Sequence, residues 1–148
     1  MEPLRLLFEV GADFYAWMTW QETWRAHCRE LVDRFEVEGD GEQLNILDMG
    51  IGPGVSGISI KDRLPAAKVV GLDYSVRMLK IAKGYLERAD VDVELIWADA
   101  SKTPFGDASF DVVTGHSFLY LLPDRCAVVK EIRRVLKPGG RVVFLEPG

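Results

Sequence analysis

Cysteine and histidine are scarce in this sequence, with 2 of each among 148 residues. Cys28 and Cys126 lie far apart, and the pair reads as two reduced intracellular thiols rather than a disulfide framework. His27 and His116 stand in no metal-ligand spacing with a cysteine, so neither a structural nor a catalytic zinc site is expected. Positive charge is also in deficit: 18 Lys and Arg face 23 Asp and Glu, for a formal net charge of −5. That balance argues against a nucleic-acid backbone as the main partner, because such binders present a basic face. No stretch approaches the roughly 18 to 20 apolar residues that a membrane span needs. Glu2, Arg5, Glu9 and Asp13 interrupt the apolar residues at the N-terminus, which excludes a secretory signal and makes a cytoplasmic protein the default. Internal repeats and low-complexity tracts are lacking too.

What is present is an ordinary globular composition, 48% hydrophobic and 28% charged, in a chain long enough to bury a core without disulfides or metal. Residues 3–36 read as helical, with a break expected near Gly11. Trp17, Trp20, Trp24 and Leu31 recur at helical spacing, and the tryptophan stripe is expected to pack in the core; the other reading makes this helix a lid over a ligand. The acidic, glycine-bearing stretch 38–42 reads as a connector, giving an N-terminal helical extension over 1–42 and a second region over 43–148.

Beyond the connector the texture changes. Short apolar runs at 44–49, 68–73, 91–98, 110–114 and 141–145 read as strands. Helices are expected between them at 55–64, at 76–88 behind a Ser75 cap, and from Pro123 or Asp124 to Leu136. Strands of this kind alternating with helices indicate βαβ units and a parallel sheet covered on both faces. Asp48, Asp73 and Asp99 each close a strand at its carboxyl end, the rim where open parallel sheets bind ligands. Three carboxylates there suit a polar, partly cationic ligand better than a polyphosphate.

The most informative segment is Asp48-Met49-Gly50-Ile51-Gly52-Pro53-Gly54-Val55-Ser56-Gly57. Gly52-x-Gly54-x-x-Gly57 matches the dinucleotide fingerprint, with Asp73 at the distance of a ribose partner, so an NAD-dependent oxidoreductase has to be weighed. Asp48 has little to do for a pyrophosphate but can attract an ammonium group. Asp73 can accept from ribose hydroxyls, and Asp99 can accept from the adenine amino group.

These segments, together with the Phe110–Thr114 strand and the Leu136-Lys137-Pro138-Gly139-Gly140 turn, resemble the successive motifs of class I S-adenosylmethionine-dependent methyltransferases. The flavour is that of the type 11 group, which includes ubiquinone and menaquinone biosynthesis C-methyltransferases. The resemblance covers about Leu44 to Pro147. It implies an α/β, Rossmann-like doubly wound sheet of order 3-2-1-4-5, and S-adenosylmethionine as methyl donor, leaving as S-adenosylhomocysteine. It further implies that Gly50 and Gly52 line the methionine moiety with Asp48 near its amino group. Asp73 would hold the ribose, Tyr74 and Met78 would flank the adenosine, and Asp99 and Ala100 would read the adenine edge. The backbone around Gly115 and His116 would close over the cofactor, and a tyrosine in the region of Tyr15 would approach it.

No side-chain nucleophile is needed for such a transfer. If the acceptor must lose a proton, His116 is the candidate base. The loop after the fourth strand lacks the Asn/Asp-Pro-Pro-Tyr pattern of many amino-methylating nucleic-acid enzymes, which favours a small, apolar or aromatic acceptor. The family's sheet ordinarily has two further strands, six and seven, beside the fifth, and these are absent here. The 141–145 strand is then an apolar edge, a liability for association. A fragment of a longer protein, a homodimer through that edge, or a module that binds cofactor without turnover would each account for it.

Overall fold

The computed structural model describes the backbone of residues 2–148, and the side chains of Leu6 and of residues 9–148. Two helices open the chain, α1 (Glu2–Thr19) and α2 (Glu22–Asp33). The helix runs through Gly11 and breaks instead at Gln21, which is extended at φ −65°, ψ 150°. A single helical glycine costs only about 1 kcal/mol, which the rest of α1 absorbs. The expected tryptophan core is not what forms. Trp17 is 60% exposed and Trp20 41%, whereas Ala12, Ala16 and Thr19 turn inward. Small residues let the helix approach its neighbours closely; Trp17 is left on the outer face, Trp20 lies against Tyr85 of the helix over 76–89 with ring centroids 5.0 Å apart, and Trp24 is half-buried.

Five strands form one parallel sheet: β1 (Asn45–Met49), β2 (Lys68–Asp73), β3 (Glu94–Trp97), β4 (Phe110–His116) and β5 (Leu136–Leu145). Their order is β3-β2-β1-β4-β5, as expected. Between them lie α3 (Val55–Arg63), α4 (Val76–Ala89) and α5 (Arg125–Val135). Ser75 caps α4 by accepting from the Met78 N–H at 3.1 Å, and Asp124 caps α5 by accepting from the Ala127 N–H at 3.0 Å. Each cap satisfies a helix-terminal donor that has no partner inside the helix.

Three strand boundaries differ from the sequence expectation, among them the end of β4, which runs on to His116 rather than stopping at Thr114. β3 begins at Glu94 rather than Val91. The Lys137–Gly140 turn lies inside β5 and not ahead of it: Leu136 already pairs with Phe110, and the register then shifts before Arg141 meets Val112. The turn is therefore a bulge, with Gly139 at φ +77°.

Alternation along the strands divides the core between the two faces of the sheet. On one face Ile46, Val69 and Val112 meet Ile60 of α3, Leu64 just beyond it, and Leu31, Val32 and Phe35 of the α2 region. On the other, Leu47, Met49, Leu72 and Val113 meet Val128, Ile132 and Val135 of α5. Residues of the N-terminal region thus share a core with the sheet. α1 packs on α4, where the Ser75 hydroxyl donates to Glu9 at 2.7 Å and Arg77 pairs with Asp13.

Leu31 is fully buried in the first of these clusters. Leu31→Ala is expected to lower unfolding stability by about 2–5 kcal/mol. It should do so in one cooperative urea transition followed by circular dichroism and by tryptophan fluorescence. Two separated transitions would mean that α2 and the sheet unfold independently.

Candidate functional site

The chain crosses from β1 to β2 and β3 on one side of the sheet, then returns to place β4 and β5 on the other. The loops leaving β1 and β4 therefore diverge, and a crevice opens at the carboxyl ends of the strands. Its cavity has a volume of about 150 Å³.

Gly50 forms its floor with φ +66°. A Cβ here would lie 2.2 Å from the Phe118 ring, so the residue answers both to the left-handed backbone and to the closeness of that ring. The loop beyond it is tied to the sheet by the Ile51 N–H, which donates to Leu72 O at 3.0 Å. Gly71 leaves room for this, since a Cβ there would come within 2.3 Å of Ile51. Asp73, at the end of β2, accepts from the Gly52 N–H at 2.9 Å and from the Ser75 N–H at 2.9 Å. One carboxylate thus fixes the glycine loop and the start of α4 together. Burial raises the Asp73 carboxyl above the usual carboxylate range, opposed by those N–H donors.

Gly50, Gly52, Asp73, Tyr74, Met78, Asp99, Ala100 and Tyr15 all line the crevice. Met78 is buried at its base. Tyr74 stacks on Trp97 with ring centroids 5.6 Å apart, and the Trp97 indole N–H donates to the Tyr74 carbonyl at 2.9 Å. Asp99 is exposed and accepts from the backbone N–H and hydroxyl of Ser101. Tyr15 comes from α1, and burial pushes its phenol well above the ordinary tyrosine range, with Tyr120 and Asp73 adding to the effect.

Two of the expected residues stand behind the crevice. Asp48 is fully buried. Its Oδ2 accepts from the Ser56 hydroxyl at 2.6 Å, while its Oδ1 has no hydrogen-bond partner. Burial pushes its carboxyl up to about 7. His116 lines a smaller adjoining cavity with Tyr15, Trp24, Gly50 and Gly52. Its ring lies 4.4 Å from that of Trp24 and 6.1 Å from that of His27. Both ring nitrogens are buried without a partner. Burial first, and His27 second, lower its pKa, with Glu146 acting in the opposite sense. The imidazole is therefore neutral at pH 7. Among the described residues, no three His, Cys, Asp or Glu side chains gather as metal ligands, and no helix is long and apolar enough to cross a membrane.

From the sequence, the backbone after β4 is expected to close over the site around Gly115 and His116; the wall of the crevice lies farther along the same segment. It is built by Ser117, Phe118, Leu121, Leu122 and Pro123. Glu146 holds this segment from the end of β5. It is a fourth acid at a strand's carboxyl end, so the signal that singled out Asp48, Asp73 and Asp99 applies to it equally.

A methyltransferase-domain family profile matches residues 46–140. The demethylmenaquinone methyltransferase of Lactococcus lactis subsp. lactis (strain IL1403) is 42% identical over 84% of this chain and 48% of its own length. That of Listeria welshimeri is 32% identical over 98% of this chain and 62% of its own length. The chain thus spans about half to three fifths of these curated relatives. A solved structure of a candidate S-adenosyl-L-methionine-dependent methyltransferase from Methanococcus maripaludis superposes with a TM-score of 0.82. It is 20% identical, over 92% of this chain and 62% of that one, a likeness of fold alone.

The buried, half-satisfied Asp48 makes a distinctive prediction. Its folded-state pKa lies above the unfolded value, so the native state binds the extra proton between about pH 4 and 7 and stability falls as pH rises through that window. Asp48→Asn should flatten this fall and raise the stability of the ligand-free protein at pH 8, by roughly 1–3 kcal/mol. Urea unfolding at pH 4.5, 6 and 8 checks it; parallel pH profiles for the two proteins would refute the assignment.

Proposed function

This chain belongs to the methyltransferase-domain family, and from that premise we propose that it binds S-adenosylmethionine and directs its methyl group to a small, apolar or aromatic acceptor. The supporting observation is the row of strand-ending acids about a left-handed glycine floor. Asp73 serves the ribose and Asp99, with Ala100, the adenine edge, while Tyr74 and Met78 flank the adenosine. Gly50 and Gly52 receive the methionine part. The unpartnered Oδ1 of Asp48 suits an ammonium group, either directly or through water, and a nearby cation would draw its carboxyl back to the ionised form. A purely nicotinamide-binding loop gives that buried carboxylate no employment, which is the argument against the oxidoreductase reading.

When bound, S-adenosylmethionine supplies an electrophilic methyl on a sulfonium. The chain's own part is to hold the acceptor in line and to exclude water. Orientation of this kind is worth on the order of 7–11 kcal/mol in favourable cases. His116, neutral and set beside Trp24, is available to accept a proton from an acceptor that must lose one. The curated relatives named demethylmenaquinone methyltransferase support a small, apolar acceptor. Residues 1–42 act in this scheme as a helical extension over the cofactor-binding region 43–148, with Tyr15 its contribution to the site. A homodimer through the 141–145 edge, where Val142 is 49% exposed, and a cytoplasmic setting compatible with two free cysteines complete the proposal. The second reading, a module that binds cofactor without turnover, predicts the same binding and no methyl transfer.

Calorimetric titration with S-adenosylhomocysteine tests the proposal, with NAD titrated in parallel. Binding is expected for the former only, and Asp73→Ala should weaken it by at least about tenfold, the scale of losing hydrogen bonds to a charged group. Heat with NAD alone would decide for the oxidoreductase.

A further inference from the structure

We propose that Glu146 is a positioning residue for cofactor binding, holding the Ser117–Pro123 segment as the wall that faces the glycine floor. This rests on the reading of the crevice as an S-adenosylmethionine site.

The chain leaves β4 at His116 and turns abruptly at Ser117, which adopts a left-handed φ of +51°. The Ser117 N–H still donates to Leu145 O at 2.8 Å. Past that point the backbone has left the sheet, and its next donors need another partner. Glu146 meets three of them in succession. Its Oε1 accepts from the N–H of Phe118 at 3.1 Å and of Leu119 at 2.9 Å, and its Oε2 accepts from the N–H of Tyr120 at 3.2 Å. A single carboxylate from the end of β5 thus fixes the start of the short 3-10 turn Leu119–Leu121. Hydrogen bonds to an ionised acceptor are about twice as strong as neutral ones.

What these bonds fix is the position of one ring. Phe118 packs against Gly50 closely enough to forbid a Cβ there, and its other side stacks on Phe144 with centroids 6.4 Å apart. Phe144 in turn lies against Gly115, where a Cβ would meet it at 2.5 Å. The ring is thus set laterally by β4 and β5, while its backbone is set by Glu146. Both Gly50 and Phe118 line the crevice, so a shift of the segment changes the gap between floor and wall. Glu146 itself does not line the crevice, so its effect on a ligand passes through the segment it holds.

A cap that served folding alone would lower the unfolding temperature and leave affinity untouched. The test therefore measures both quantities on the whole chain for Glu146→Ala, Glu146→Gln, Phe118→Leu and the double variant Glu146→Ala with Phe118→Leu. The probe is S-adenosylhomocysteine by calorimetry, with ligand-free thermal unfolding alongside. Glu146→Ala is expected to weaken binding about tenfold or more, and Glu146→Gln, which keeps one acceptor oxygen, by an intermediate factor. In the double variant the two losses should not multiply, because both act on the position of the same ring. If Glu146→Ala is too unstable to measure, Glu146→Gln carries the same comparison. Affinity within twofold of wild type in either Glu146 variant, or losses that multiply independently, would overturn the inference. A wild-type chain that binds no S-adenosylhomocysteine would instead overturn the cofactor reading, and this inference with it.

Discussion

β1 lies between β2 and β4, and its Asp48 is held opposite Gly71 on one side and Thr114 on the other. Because side chains alternate along a strand, a slip of one residue in either pairing would exchange the two faces. Ile46 would leave the cluster it shares with α2 and α3, Leu47 would leave the one it shares with α5, and the glycine loop would start from the wrong height. The two buried clusters therefore specify the register, and the register places Asp48 beneath the loop, Asp73 beside it and the end of β4 across from it. The chemistry at the crevice depends on this apolar agreement more than on any contact within the crevice.

A second layer of polar bonds converts the sheet's edge into a shaped site. Asp73 ties the glycine loop to the start of α4. Glu146 ties the segment after β4 to the end of β5. Each carboxylate gathers backbone N–H groups that have lost their sheet or helix partners, and so fixes the segment they belong to. Asp48 is the exception in this layer. It is fully buried, has one oxygen without a partner, and its carboxyl is pushed up to about 7. A buried carboxylate left half-satisfied is costly.

The N-terminal helices contribute differently along their length. The α2 region belongs to the core through Leu31, Val32 and Phe35. The two helices also bring Tyr15, Trp24 and His27 around the end of β4, where His116 loses its ordinary solvation. The outer face of α1 carries Leu6, Val10, Phe14 and Trp17, each at least 60% exposed. The helix thus divides into an inner face of small residues, Ala12, Ala16 and Thr19, joined by Tyr15 at the crevice, and an outer face of large apolar ones.

Much of this was legible in the residues themselves. Apolar runs ending in acids, separated by helical periods, are enough to specify a parallel α/β sheet, because local hydrophobic period and turn chemistry act over a few residues. The glycine loop, Asp73, Asp99 and the caps Ser75 and Asp124 follow from the same short-range rules. Tertiary packing alone decided the rest. Trp17 and Trp20 have the spacing of a buried stripe, but spacing does not say which face of a helix meets its neighbours, and the small residues won that contact. The start of β5 depends on pairing with β4, since Leu136 finds a partner only across the sheet. His116 and Trp24 lie 92 positions apart in sequence (116 minus 24) yet have ring centroids 4.4 Å apart, and no local pattern encodes that meeting. Glu146 and Phe118 belong to the same class: they lie far apart in sequence, and only the closure of β5 on β4 makes one hold the other.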